Sequence, residues 1–296
     1  MLIALLIPLG LAAVVYALAM LRAVIRRGAV PTLEGFILGA VTNFFDTLGI
    51  GSFAPTMAWF KFRKLVPDRL IPCTMIVGHT LPTMVQALIF LALLGVLVDP
   101  ILLVGCTVAF LMGGLLGVPL VTRTRVWIVQ VVVAFGLILA AILYALANLQ
   151  LMPGGGTASG LPLTLTVVAI VASFVFGILL NFGIGNYAPT LVLLSLIGMD
   201  PRLCFPIMAA SAGLTASATG IRYISIGDVN LKLAGGMAIG GIPAVLVAAF
   251  IVKSMSVEAL RWGVIVVVLY AALVMLRSAI AGRRDEATAL VCAPAE

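Results

Sequence analysis

Long apolar runs dominate this chain, separated by short clusters of basic, glycine or proline residues. Leu2–Met20, Thr107–Val121 and Trp127–Ala147 carry no charged side chain. Each is long enough, or nearly so, to cross roughly 30 Å of hydrocarbon at about 1.5 Å per residue. The pattern predicts helical spans near 2–20, 70–98, 101–121, 126–148, 203–222, 231–252 and 260–281. Two more apolar segments, 33–60 and 165–197, are interrupted in the middle. The interruption reads GIGSFAPT at 49–56 and GIGNYAPT at 183–190, the same phrase 134 positions apart.

The repeat extends beyond the phrase. Gly39-Ala-Val-Thr-Asn43-Phe44 matches Gly177-Ile-Leu-Leu-Asn181-Phe182, and Pro67 and Pro72 match Pro201 and Pro206. Between Asn-Phe and GIG the first copy alone carries Phe45-Asp46-Thr47-Leu48. The chain therefore reads as a duplication. Residues 1–29 form an extra first helix, 30–148 the first repeat and 149–161 a glycine-rich flexible linker. Residues 162–282 form the second repeat and 283–296 a tail. Transmembrane β-strands would alternate apolar and polar residues over about ten positions, a pattern that is absent here. The expected class is an all-α polytopic membrane protein.

Composition agrees: 64% of residues are hydrophobic and 9% charged, too few charges to cover a soluble domain. The first run lacks a charged n-region and a small-residue cleavage site, so it is expected to be retained rather than processed. The net charge of +7 comes from Lys and Arg in short loops, a topology signal rather than a nucleic-acid one. Cys73, Cys106, Cys204 and Cys292 have no C-x-x-C spacing, so they read as small hydrophobes with no metal or redox role.

Loop charge also decides how the broken segments run. If both cross the membrane, the basic residues split nine to eight, with no bias. If both enter and return on the same side, 14 of the 17 fall on one side, leaving only Arg202, Lys253 and Arg261 opposite. The positive-inside rule selects the second arrangement. Three spans separate the hairpins, so they enter from opposite faces. The expectation is an inverted-topology repeat of seven spans plus two re-entrant hairpins, N-terminus out and C-terminus in.

A helix broken inside a membrane exposes backbone groups that must line a cavity. Half-helix N-termini offer N–H donors and partial positive charge to anions. Gly49, Gly51, Gly183 and Gly185 let the chain turn closely at each tip. Pro55 and Pro189 suit the first turn of each outgoing half-helix. Ser52 and Asn186 are candidate caps or ligand donors, and Thr56 and Thr190 add hydroxyls. Asn43 and Asn181 read as cavity lining, against the alternative of interhelical hydrogen bonding. Phe53 and Tyr187 either pack the tips or cover a ligand. Asp46 and the single histidine, His79, are the candidates for coupling to H+ or Na+; Gln86 is a weaker one. No bound cofactor or metal is expected. A donor-rich site without fixed cationic side chains favours a small anion.

Two halves, each with an Asn-containing approach and G-I-G-x-x-x-P inside a broken helix, resemble the TauE/SafE sulfite exporter family over about 30–280. That family usually shows more glycines where Ser52-Phe53 and Asn186-Tyr187 stand here. The resemblance implies a bacterial inner-membrane secondary transporter, an exporter of sulfite or a short organosulfonate, working by alternating access around the two tips. It singles out Gly49, Gly51, Pro55, Gly183, Gly185 and Pro189 as site elements. An anion channel and a carrier of small carboxylates are the alternatives. An enzyme is not expected, because G-x-S-x-G, H-E-x-x-H and a carboxylate dyad are all missing. A homodimer is admitted but not required.

Overall fold

The computed structural model describes residues 2–48, 51–67, 70–94, 97–121, 156–180, 185–227, 229–254 and 257–291, with scattered positions between 127 and 149. The named helices are α1 (Leu2–Arg26), α2 (Leu33–Thr47), α3 (Phe53–Arg63), α4 (Ile71–Leu94), α5 (Pro100–Val121), α6 (Leu163–Leu180), α7 (Tyr187–Leu196), α8 (Pro201–Ile226), α9 (Leu231–Ser254) and α10 (Val257–Val291). Among the described residues the only extended pairing is an isolated bridge between Ala158 and Met199. Six helices there are long and apolar enough to cross a membrane: Leu6–Arg26, Cys73–Leu93, Pro100–Gly117, Leu163–Leu180, Pro201–Ile226 and Leu231–Ile251. The expected span at 126–148 lies largely outside the described residues, and 260–281 falls within α10.

Helix ends follow local chemistry. Thr32 caps α2 by accepting from Gly35 N at 3.2 Å. Asp200 caps α8 by accepting from Arg202 N at 2.8 Å, with Pro201 in the first turn and Gly227 in the left-handed conformation at the end. These are the expected start and stop signals of a helix. Helix α2 ends at Thr47 and α3 begins at Phe53; α6 ends at Leu180 and α7 begins at Tyr187.

The start of each of the two segments lies beside its finish. Glu34, in the first turn of α2, is 3.0 Å from Arg63 at the end of α3. For the second segment, Ala158 N donates to Gly198 O and Asp200 N to Ala158 O, at 3.2 and 3.0 Å. The two bases lie at opposite ends of α4 and α8. The far end of α4 meets the second base, where Asp99 N donates to Ser159 O at 2.9 Å. The far end of α8 meets the first base. There Thr74 Oγ1 accepts from Asn230 N at 3.1 Å, and Thr32 N donates to Lys232 O at 3.2 Å.

Local geometry recurs 134 residues apart. Thr56 N donates to Ser52 O and Thr190 N to Asn186 O, both at 3.2 Å. Leu65 N donates to Phe60 O, and Met199 N to Leu194 O, with left-handed Lys64 and Gly198 at the equivalent turn.

The helices cross by exchange between the halves: α2 packs on α9, α6 on α5, and α4 on α8. Glycine sets the first two of these crossings. A Cβ on Gly39 would strike the Met237 backbone, and one on Gly240 the Phe36 backbone. In the other crossing, Gly177 sits against Phe110 and Gly113 against Phe174 in the same way. Lipid gives helices no hydrophobic reason to associate, so close backbone approach through small residues carries much of the packing. Around the α4–α8 pair lies a core including Phe90, Phe205, Met84 and Met208, with the Phe90 and Phe205 rings 5.1 Å apart.

Candidate functional site

The two tips meet between α4 and α8. Gly51, Ser52 and Phe53 from the first, and Gly185, Asn186 and Tyr187 from the second, line one cavity of about 30 Å³. That is room for one or two waters or a very small ion. Asp46, Ile76, His79, Thr83, Leu180, Ala212 and Ala216 complete the wall.

Asp46 owes its position to the four-residue insertion. Helix α2 continues through Phe45-Asp46-Thr47, which adds about one turn and brings the carboxylate to the tip. It is buried, and its Oδ1 accepts from Ser52 N at 2.6 Å. An internal carboxylate thus occupies the first donor of the α3 N-terminus, where a helix end attracts negative charge. Gly51 makes the turn possible at φ 82°, a conformation that disfavours side chains with a Cβ.

His79 is held from both sides. Asn43 Nδ2 donates to Gly39 O at 2.7 Å, which leaves Asn43 Oδ1 to accept from His79 Nδ1, 3.0 Å away. The ring therefore sits as the Nδ1–H tautomer, and Nε2 accepts the Thr56 hydroxyl at 2.9 Å. The Phe53 ring stacks on the imidazole with centroids 6.0 Å apart. Helix α9 leaves room for this network at Gly241, where a Cβ would press within 2.6 Å of Asn43 Nδ2. Asn43, Thr56 and His79 are all buried.

The second tip is arranged differently. Asn186 occupies the cap position of α7, but its side chain does not cap the helix. It donates to Met208 O at 3.0 Å and accepts from the Thr190 hydroxyl at 2.5 Å. The Tyr187 hydroxyl is buried without a hydrogen-bond partner among the described residues.

The predicted residues therefore fall into two sets. Asp46, Gly51, Ser52, Phe53, His79, Gly185, Asn186 and Tyr187 line the cavity. Asn43, Thr56 and Thr190 stand behind it and hold His79 and Asn186. Pro55 and Pro189 are the third residues of α3 and α7, where a missing N–H costs little. Gly49, Asn181 and Gly183 lie outside the described residues. Sequence reasoning missed Thr83, Ala212 and Ala216. Thr83 follows His79 by four residues, and Ala212 and Ala216 are also four apart, so each pair shares a helix face. Gln86 is buried, with neither amide atom partnered among the described residues.

The family profile described as Sulfite exporter TauE/SafE matches residues 165–295. The matched stretch begins in α6 and takes in the second tip, α8, α9 and α10. No curated protein and no solved structure matches the chain. The match covers less than half of the chain; with six helices among the described residues long and apolar enough to span a bilayer, it supports an integral membrane protein.

Proposed function

We propose that this chain, whose second half matches the sulfite exporter family, is a secondary transporter that exports a small sulfur-containing anion such as sulfite or a short organosulfonate. The observation that carries the reading is that the two broken-helix tips line a single buried cavity. The bases of the two segments at opposite ends of α4 and α8 support an inverted repeat of re-entrant hairpins. The recurring bonds at an offset of 134 support it too. In that arrangement the end holding Arg63, Lys64 and Lys232 faces the cytoplasm, in keeping with the loop-charge count.

The chemistry is anion capture by backbone donors. Residues at the starts of α3 and α7 line the cavity from two sides, so we infer that an SO₃ group accepts N–H donors from both tips. Asp46 competes for the same ground. Its carboxylate holds Ser52 N–H, and it repels a second anion. Binding of substrate therefore requires Asp46 to take up a proton or to swing away. Protonation would load H+ and anion together, with direction set by their combined gradient. His79 is a positioning residue in this scheme, because both ring nitrogens are already bonded. A cavity this small and enclosed favours a carrier, which opens to one face at a time, over a channel.

The test is a thermal-shift screen of purified protein against sulfite, sulfate, thiosulfate, taurine, isethionate, sulfoacetate and short carboxylates. Counterflow of labelled substrate in proteoliposomes should accompany it. Stabilisation by sulfite or sulfonates with saturable counterflow is the expected result. Stabilisation by carboxylates alone would overturn the sulfur-anion assignment, and non-saturating conductance would overturn the carrier.

A further inference from the structure

Away from the tips, a cleft of about 680 Å³ opens between α1 and α8. Its α1 wall carries Arg22 and Arg26, and Arg27 follows the helix. Ala19 and Ala23 provide a narrow floor, and Ile221 lies opposite on α8. The α1 positions 19, 22, 23 and 26 share one helical face, which brings Arg22 and Arg26 together one turn apart. Arg27 is fixed at the end of α8, where Nη2 donates to Ile224 O at 3.1 Å. Among the described residues the only ion pair is Arg63–Glu34, so no described carboxylate neutralises this cluster. Beside the cleft, Leu18, Leu21 and Ile25 of α1 and Ile226 of α8 are exposed.

We propose that this cleft is a binding site for the phosphate headgroup of an anionic phospholipid, with its acyl chains along the exposed face of α1. Guanidinium groups pair with phosphate oxygens in a planar, bidentate fashion. Basic pockets between membrane helices supply what such a headgroup needs. The cleft lies where the apolar face of α1 gives way to arginine. A ligand with both a phosphate and hydrocarbon satisfies both surfaces, whereas a free anion satisfies only one. The site does not depend on the transported substrate.

Native mass spectrometry and thermal shift of the full chain in detergent test it, with phosphatidylglycerol, phosphatidylcholine, inorganic phosphate and glycerol phosphate as separate additions. Phosphatidylglycerol should be retained preferentially and raise Tm. Arg22→Gln combined with Arg26→Gln should weaken its binding by about fivefold per arginine, roughly 25-fold together. Arg222→Gln, an exposed arginine outside the cleft, should leave binding unchanged and controls for general charge loss. Equal retention of phosphatidylcholine, or undiminished binding in the double variant, would overturn the site. A stabilisation by inorganic phosphate equal to that by phosphatidylglycerol would overturn the lipid assignment.

Discussion

On the proposed function, replacing Asp46 with asparagine should make the protein bind its anion more tightly. The substitution keeps an oxygen to accept from Ser52 N, 2.6 Å from Oδ1 in the native protein, while removing the negative charge. An anion held by the neighbouring first-turn N–H groups would sit about 5 Å from the carboxylate. At an effective dielectric near 20 the repulsion is about 3 kcal/mol. Relaxation and partial protonation reduce this, so a gain of roughly ten- to a hundredfold in affinity is expected at neutral pH and above. Linkage fixes the sign of the pH effect. Anion binding to the native protein favours the protonated carboxyl, so affinity falls as pH rises through its titration, whereas Asp46→Asn shows no such fall. Equilibrium binding of labelled sulfite to purified protein over a pH series measures both. Transport by the variant should become slow or uncoupled, because the group that makes way for the anion is gone. If Asp46→Asn binds no more tightly and keeps the native pH dependence, Asp46 is not the competitor that the geometry suggests.

Other outcomes follow from the same structure. His79→Leu orphans Asn43 Oδ1 and Thr56 Oγ1 in a buried site; at about 1–3 kcal/mol each, stability in detergent should fall by roughly 2–5 kcal/mol, and His79→Gln should recover part of it. Gly39→Val and Gly177→Val each drive a side chain into facing backbone and should abolish folded expression, whereas Gly10→Ala, with nothing within 4 Å, should be silent. Glu34→Ala breaks a pair whose partners are 34% and 53% exposed, so Tm should move by less than about 1 kcal/mol equivalent. Lys64→Cys should label from the cytoplasmic side and not from outside, and the reverse result would refute the re-entrant arrangement.

The ends of α2 and α6 and the starts of α3 and α7 were legible because they rest on local signals, the glycines and prolines between them. The positions of Asp46 and the tips were legible for the same reason, since the insertion and the repeated phrase are visible along the chain. The role of Asn43 was not. Whether an asparagine lines a cavity or holds a neighbour depends on which residue faces it, and His79 is 36 positions away. Ala212 and Ala216 were illegible for a related reason. An alanine in an apolar helix carries no chemical sign that a cavity lies beside it, and only the crossing of α4 and α8 creates one.

The exchanged crossings bear on how the protein is made. Helix α2 packs on α9, which ends at Ser254, roughly 200 residues after α2 is complete. At about 5–20 residues per second, the glycine-lined face of α2 waits on the order of 10–40 s in lipid before its partner exists. A ribosome stalled after the first half would leave a fragment whose closest contacts belong to helices not yet synthesised. Two fragments divided in the 149–161 linker should therefore each be short-lived alone and rescue one another when co-expressed.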